Sequence, residues 1–158
     1  MHAHRHVGVY GVCVAANHLL VINKNTGPYR SRYDLPGGRL APNESLAAAL
    51  IREFDEEVGM TPTILTLIGA RDFFVRWVRK DYTHEHHIAL FYAVSVEGAP
   101  QHAIREFDGQ DSLGCSWVST DALSLNNASP LVLQAVEWLT TGVIPTDPQR
   151  YDDWRILD

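Results

Sequence analysis

Between Ser45 and Val58 the apolar residues Leu46, Leu50, Phe54 and Val58 recur at every fourth position, with Ala47 and Ile51 widening the stripe. That period predicts an amphipathic helix, stopped by Gly59 and with Asn43 or Glu44 as candidate cap. The same stretch places Glu53, Glu56 and Glu57 at positions i, i+3 and i+4, within roughly a 100° arc of the helix surface. Like charges so spaced repel by roughly a few tenths of a kcal/mol per pair, and a helix built only for stability would intersperse Lys or Arg. Three acids on one face describe either a solvated surface or a set of oxygen ligands whose repulsion a cation would remove.

The segments around this helix have a different period. Val7, Val9, Gly11, Cys13 and Ala15 alternate with their neighbours, Asn17-His18 interrupts, and Leu19-Leu20-Val21-Ile22 follows, which predicts a largely buried β-hairpin over residues 7–23. Residues 63–78 and 86–96 are rich in β-branched and aromatic side chains and read as two longer strands separated by Arg79-Lys80-Asp81. The stretch from Val96 to Gly114 is polar. Cys115 to Val118 then reads as a short strand, and Pro130 opens a second helix carrying Leu131, Ala135, Trp138 and Leu139. Strands and helices mixed in this order suit an α/β architecture, a mixed sheet covered by helices, better than a bundle or a β-sandwich.

The 158 residues, 46% of them hydrophobic, are the length of one domain, so residues 1–158 are expected to form a single unit whose tail, 142–158, has no clear place. Cys13 and Cys115 are expected as reduced core residues, which points to the cytoplasm. No apolar stretch approaches the ~20 residues that cross a bilayer, so no membrane association is expected. Thirteen basic against nineteen acidic residues give a net charge of -6. An acidic chain is a poor partner for long nucleic acid. It can still bind a small anion if clustered carboxylates hold a divalent ion that reverses the local sign.

Pro36-Gly37-Gly38 lies directly before the acidic helix, where bare backbone can approach a ligand closely. Arg52 lies one turn from Glu56. Read as a string, Gly38 is followed after five residues by Glu44, and after seven more by Arg52-Glu53-Phe54-Asp55-Glu56-Glu57-Val58-Gly59-Met60. This resembles the Nudix box of the Nudix (MutT-like) hydrolases and matches every fixed position, over about a seventh of the chain.

The resemblance implies an α/β/α sandwich, with a mixed β-sheet between helices. It implies hydrolysis of a nucleoside diphosphate linked to another moiety by water attack on phosphorus, dependent on Mg²⁺ or, as a substitute, Mn²⁺. By the same resemblance Glu53, Glu56 and Glu57 would be metal ligands, a carbonyl of Gly37 or Gly38 would complete the shell, and Glu44 would be reached through water. Arg52 would orient the glutamates, since its planar guanidinium can hold a carboxylate bidentately. Glu53 or Glu56 would serve as base, unless an acid of the later loop (Glu106, Asp108 or Asp111) swings inward, because Ser116 stands where many relatives place a carboxylate before a tryptophan.

For substrate anchoring, Arg30 and Arg32 offer positive charge, Phe74 and Trp77 an aromatic surface, and His86 and Asp111 polar contacts. His84 and His86 share a strand face, and His2, His4 and His6 alternate in what reads as a disordered terminus. A small nucleotide is the expected partner, and a homodimer is compatible with the apolar tail. The alternatives are a catalytically silent nucleotide-sensing protein, disfavoured by the intact glutamates, and an RNA 5′-end pyrophosphohydrolase, disfavoured by the charge.

Overall fold

Strand β3 (His18–Lys24) divides the interior, because Leu19 and Val21 belong to one buried cluster and Leu20 and Ile22 to another. A run buried on both faces needs cover on both sides, and the chain supplies one helix for each. The computed structural model describes residues 1–97 and 112–158. Its elements are β1 (Ala3–Val12), β2 (Val14–Ala15), β3, β4 (Tyr33–Asp34), β5 (Gly37–Arg39), α1 (Leu46–Val58), β6 (Thr63–Arg76), β7 (His84–Ser95), β8 (Ser112–Ser119), α2 (Pro130–Thr141) and β9 (Gln149–Tyr151), with one 3₁₀ turn at Thr120–Ala122.

A mixed sheet has the order β5-β1-β7-β6-β9, in which β1 runs parallel to β7 and β9 parallel to β6. The second sheet joins β2, β3 and β4, with β8 on the other side of β3. On one side, Ala49, Leu50, Phe54 and Val58 of α1 pack against Val9, Tyr92 and Val94. On the other, Leu131, Val132 and Ala135 of α2 pack against Phe73, Ala89 and Phe91. The expected α/β/α sandwich is present. Each fully buried side chain such as Leu50 or Phe54 contributes about 1.5–3 kcal/mol of burial.

Both helices begin on a serine. Ser45 Oγ accepts from Ala48 N at 3.1 Å and Ser129 Oγ from Val132 N at 3.3 Å. Ser45, not Asn43 or Glu44, therefore caps α1, since a hydroxyl at that position reaches the free amide of the first turn. Gly59 closes α1 in the left-handed conformation (φ 73°), donating to Phe54 O and Asp55 O.

Two further expectations fail. The hairpin over 7–23 is confined to its tip, β2 against the start of β3 around Ala16 and Asn17, both at positive φ. β1 instead pairs with β5 and β7, leaving β3 to the other sheet. The terminal histidines are also not disordered, because β1 begins at Ala3 and pairs with His84 onward. No disulfide joins the buried Cys13 and Cys115. No described helix is long and apolar enough to cross a membrane.

The tail packs back on the fold. β9 extends the mixed sheet, and Trp154 Nε1 donates to Pro28 O at 2.7 Å while its ring meets Tyr29 edge-on. Arg32 lies over the Trp154 ring at 4.1 Å and donates to Leu125 O and Arg155 O. The buried Arg71 donates to Gln134 and to Asp147 O. Trp154→Ala is expected to cost about 2–3 kcal/mol, below the cost for a wholly buried tryptophan. Urea unfolding would show this as a lower midpoint at unchanged slope.

Candidate functional site

Strand β5 is three residues long and brings backbone and acids together. It pairs antiparallel with β1, Gly37 opposite Tyr10 and Gly38 opposite Val9. Gly37 N donates to Glu57 Oε1 at 2.8 Å, tying the buried end of α1 to the strand. A Cβ at Gly38 would lie 2.8 Å from Glu53 Oε1, so glycine keeps that space open for the carboxylate.

Arg52 is the hub of the exposed end. Its Nε donates to Glu44 Oε2 at 2.7 Å and its Nη2 to Glu44 Oε1 at 2.9 Å. Nη1 donates to Glu53 Oε1 at 2.9 Å and reaches Glu56 Oε2 at 3.5 Å, while Nη2 also donates to Arg39 O. Glu44 Oε1 further accepts from Ala41 N. These bonds hold the Glu44 carboxyl down at about 2, the hydrogen bond from Arg52 being the largest cause. The same pair pushes Arg52 up, so it stays cationic.

Both oxygens of Glu44 are thus engaged by Arg52, which makes Glu44 the anchor of the guanidinium. A carboxyl held low in the fold contributes stability above the ordinary carboxylate range and loses it as the pH falls toward 2. Arg52→Lys, which cannot form the two-pronged bond, is expected to return Glu44 toward the ordinary range. A carboxyl-carbon NMR titration would measure it, and a Glu44 still titrating near 2 would contradict the bidentate account.

Among the described residues no three His, Cys, Asp or Glu side chains already converge at metal-ligand spacing. Glu53 and Glu56 turn toward Arg52 and Glu57 toward Gly37. The donor set is nevertheless wholly hard oxygen, and the cradle at Gly38 keeps backbone beside a carboxylate. Such donors fit Mg²⁺ or Mn²⁺ and do not suit a soft metal.

Beyond β5, a cavity of about 240 Å³ opens on the face of the mixed sheet that carries Tyr10 and His87. His4, His6, Tyr29, Trp77, Glu85 and His87 line it, and Lys24, Arg39 and Arg79 add positive charge. Arg39 is the link to the acids, since it lines the cavity while its carbonyl accepts from Arg52.

Of the residues expected to anchor a substrate, Trp77 lines this cavity. Arg30 and Arg32 do not. Arg30 binds Leu157 O and Arg32 is drawn over the Trp154 ring, so the tail takes the charge that the sequence offered for phosphate. Phe74 and His86 stack on each other at 4.2 Å, with Arg150 over the Phe74 ring and Asp72 on His86. Alternation along β6 and β7 turns them away from the cavity. Asp111, Glu106 and Asp108 lie outside the described residues.

Sequence reasoning missed Tyr10, Tyr29, Lys24 and Arg39. The alternating histidines of two distant segments were the available signal, and only their pairing register reveals that they meet.

The model of the NUDIX domain family matches residues 2–139. An ADP-ribose pyrophosphatase of Methanocaldococcus jannaschii is 32% identical over 69 residues, 44% of this chain and 41% of that protein. A Bacillus subtilis protein named as a candidate 8-oxo-dGTP diphosphatase is 36% identical over 93 residues, 59% of this chain and 54% of that one. The chain thus spans about half the length of the curated relatives it matches. The crystal structure of a MutT NUDIX hydrolase from Burkholderia pseudomallei superposes with a TM-score of 0.67 at 24% identity, covering 85% of this chain and 97% of that one.

Proposed function

Because this chain belongs to the NUDIX domain family, we propose that it is a divalent-metal-dependent pyrophosphohydrolase. Its substrate is a nucleoside diphosphate linked to another moiety, cleaved by water attack on phosphorus. The observation that carries this reading is the acidic face of α1, with Glu53 and Glu57 against bare glycine backbone, linked through Arg52 to Arg39, which also lines a cationic cavity. The names of the two curated relatives agree with that substrate class.

Glu53, Glu56 and Glu57 are the residues that would hold the ion, with a carbonyl of Gly37 or Gly38. A bound Mg²⁺ or Mn²⁺ supplies charge neutralisation of the diphosphate and acidifies water for attack. The protein does the rest. Arg52, fixed on Glu44, sets the orientation of Glu53 and Glu56, and one of these two takes the proton from the attacking water. Lys24, Arg39 and Arg79 attract the phosphates, and the aromatic walls formed by Trp77 and Tyr29 hold the nucleoside ring and exclude water from it. Arg52→Lys is accordingly expected to lower kcat roughly 10- to 100-fold with little change in KM, the scale seen when a residue that orients a ligand is altered.

The decisive experiment follows phosphate or nucleotide release from a panel of nucleoside triphosphates, dinucleoside polyphosphates, ADP-ribose and nucleotide sugars, with Mg²⁺, with Mn²⁺ and with chelator. Turnover of one class, abolished by chelator, supports the proposal. Metal-dependent nucleotide binding without turnover of any compound would overturn it in favour of a sensor.

A further inference from the structure

The cavity wall contains a continuous hydrogen-bonded relay. β1 and β7 run parallel in a register that sets His4 beside Glu85 and His6 beside His87. His4 Nδ1 lies 2.8 Å from Glu85 Oε2 and His6 Nδ1 3.4 Å from Glu85 Oε1. The Tyr10 hydroxyl lies 3.4 Å from His6 Nε2 and 2.7 Å from His87 Nε2, and the Tyr29 hydroxyl 3.0 Å from His87 Nδ1. Glu85 and His87 are each 3% exposed, and both line the cavity with the two tyrosines.

A neutral imidazole has one donor and one acceptor. Burial pushes His87 well below the ordinary histidine range, so it stays neutral. Standing between two hydroxyls, it must donate to one and accept from the other. With His6 neutral and its Nδ1–H given to Glu85, His6 Nε2 accepts from Tyr10. Tyr10 oxygen then accepts from His87 Nε2–H, and Tyr29 donates to His87 Nδ1. In that state Tyr29 can only accept from a ligand. If His6 takes up a proton, its Nε2–H donates to Tyr10, Tyr10 donates to His87 Nε2, and His87 Nδ1–H donates to Tyr29. The Tyr29 hydroxyl proton is then released toward the cavity. One proton enters at His6 Nε2, and along the relay protons only change sides.

We propose that His6, acting through Tyr10 and His87, determines which ring edge the cavity accepts: a hydrogen-bond donor when His6 is neutral, a carbonyl or ring-nitrogen acceptor when it is protonated. This rests on the nucleotide reading above and assigns to it a specificity determinant remote from the acidic helix. Among the described residues, the titratable and charged groups that line the cavity with His6 are His4 and Tyr10 on β1, Lys24 on β3, Tyr29 before β4 and Asp34 in it, Arg39 on β5, Arg79 in the β6–β7 turn, and Glu85 and His87 on β7. Among the described residues, Glu85 is the carboxylate within ion-pair distance of His6, at 3.4 Å.

AMP and IMP test this, since AMP offers an amino donor at C6 and an acceptor at N1 where IMP offers a carbonyl acceptor at C6 and an N1–H donor. Their binding to the full chain is measured by calorimetry from about pH 8 to about pH 5, the range in which histidines change charge. Long-range ¹⁵N–¹H spectra of the free protein follow the imidazoles over the same range. The AMP:IMP affinity ratio is expected to change about three- to tenfold with acidification, the worth of one neutral hydrogen bond, falling where Tyr29 meets the C6 group and rising where it meets N1. His87 is expected to stay neutral and exchange its Nε2–H tautomer for Nδ1–H as His6 protonates. In Tyr10→Phe both responses should vanish.

A single His87 tautomer at every pH, or binding with an invariant ratio, would overturn the relay and leave the nucleotide reading standing. Binding of neither nucleotide, with the tautomer exchange intact, would overturn the nucleoside assignment of the cavity and the specificity role with it.

Discussion

Glu57→Gln is expected to lower turnover by at least about 100-fold while leaving the fold intact, because on the proposed reading it removes a charge that would hold the ion without removing the atoms that pack. Glu57 is 3% exposed, and its Oε1 accepts from Gly37 N at 2.8 Å. A glutamine amide oxygen can accept the same bond, so the strand stays anchored to α1. The negative charge is lost, however, and in a poorly solvated place a charge acts on a cation far more strongly than at the surface. Steady-state kinetics on the best substrate of the panel, with thermal unfolding in parallel, separates the two effects. Hydrolysis near the wild-type rate would show that Glu57 is only a structural tie to β5. A large fall in unfolding temperature would show that the charge itself supports the fold.

Gly37→Ala should act through stability first. Gly37 has φ 143°, a conformation that side chains rarely adopt, and an added Cβ would lie 2.0 Å from Val9 O and 2.7 Å from Tyr10 Cα. Both neighbours are backbone of the central strand β1, which cannot turn aside as a side chain would. The expected cost is about 2–4 kcal/mol, conformational strain added to displacement of a paired strand. Gly27 provides the comparison. It also has positive φ (75°), but nothing lies within 4 Å of an added Cβ. Gly27→Ala is therefore expected to cost about 1 kcal/mol, from strain alone. Denaturant midpoints at constant slope measure both, and equal losses would mean that the close approach of β1 and β5 contributes nothing.

The acidic helix was legible in detail because its period, its charge face and its glycine stop are all local. Ser45 was missed as its cap since Asn43 and Glu44, equally plausible by type, stand just before it; Glu44 is drawn off by Arg52 eight residues later. The substrate anchors were less legible. Arg32 reads as a phosphate contact until Trp154, far along the chain, is seen to lie beneath it. Phe74 and Trp77 look alike in sequence, yet the first faces away from the cavity and the second lines it. Which face a strand residue takes depends on the register of its neighbours, and a shift of one residue exchanges the faces.

Local spacing alone determined the helix of glutamates, the bare glycines before it, and the arginine that binds them. It also determined the order of elements that makes an α/β sandwich with one helix on each side. These follow from covalent geometry, because residues three and four apart on a helix meet whatever surrounds them. Only the tertiary structure decided that β1 leaves β3 for a parallel partner at β7, bringing His6 and Tyr10 to His87 across more than seventy residues. Strand pairing is made by backbone groups that are the same in every residue. The partner and the register are therefore chosen by the packing of the whole chain, and with them the cavity beside the acids.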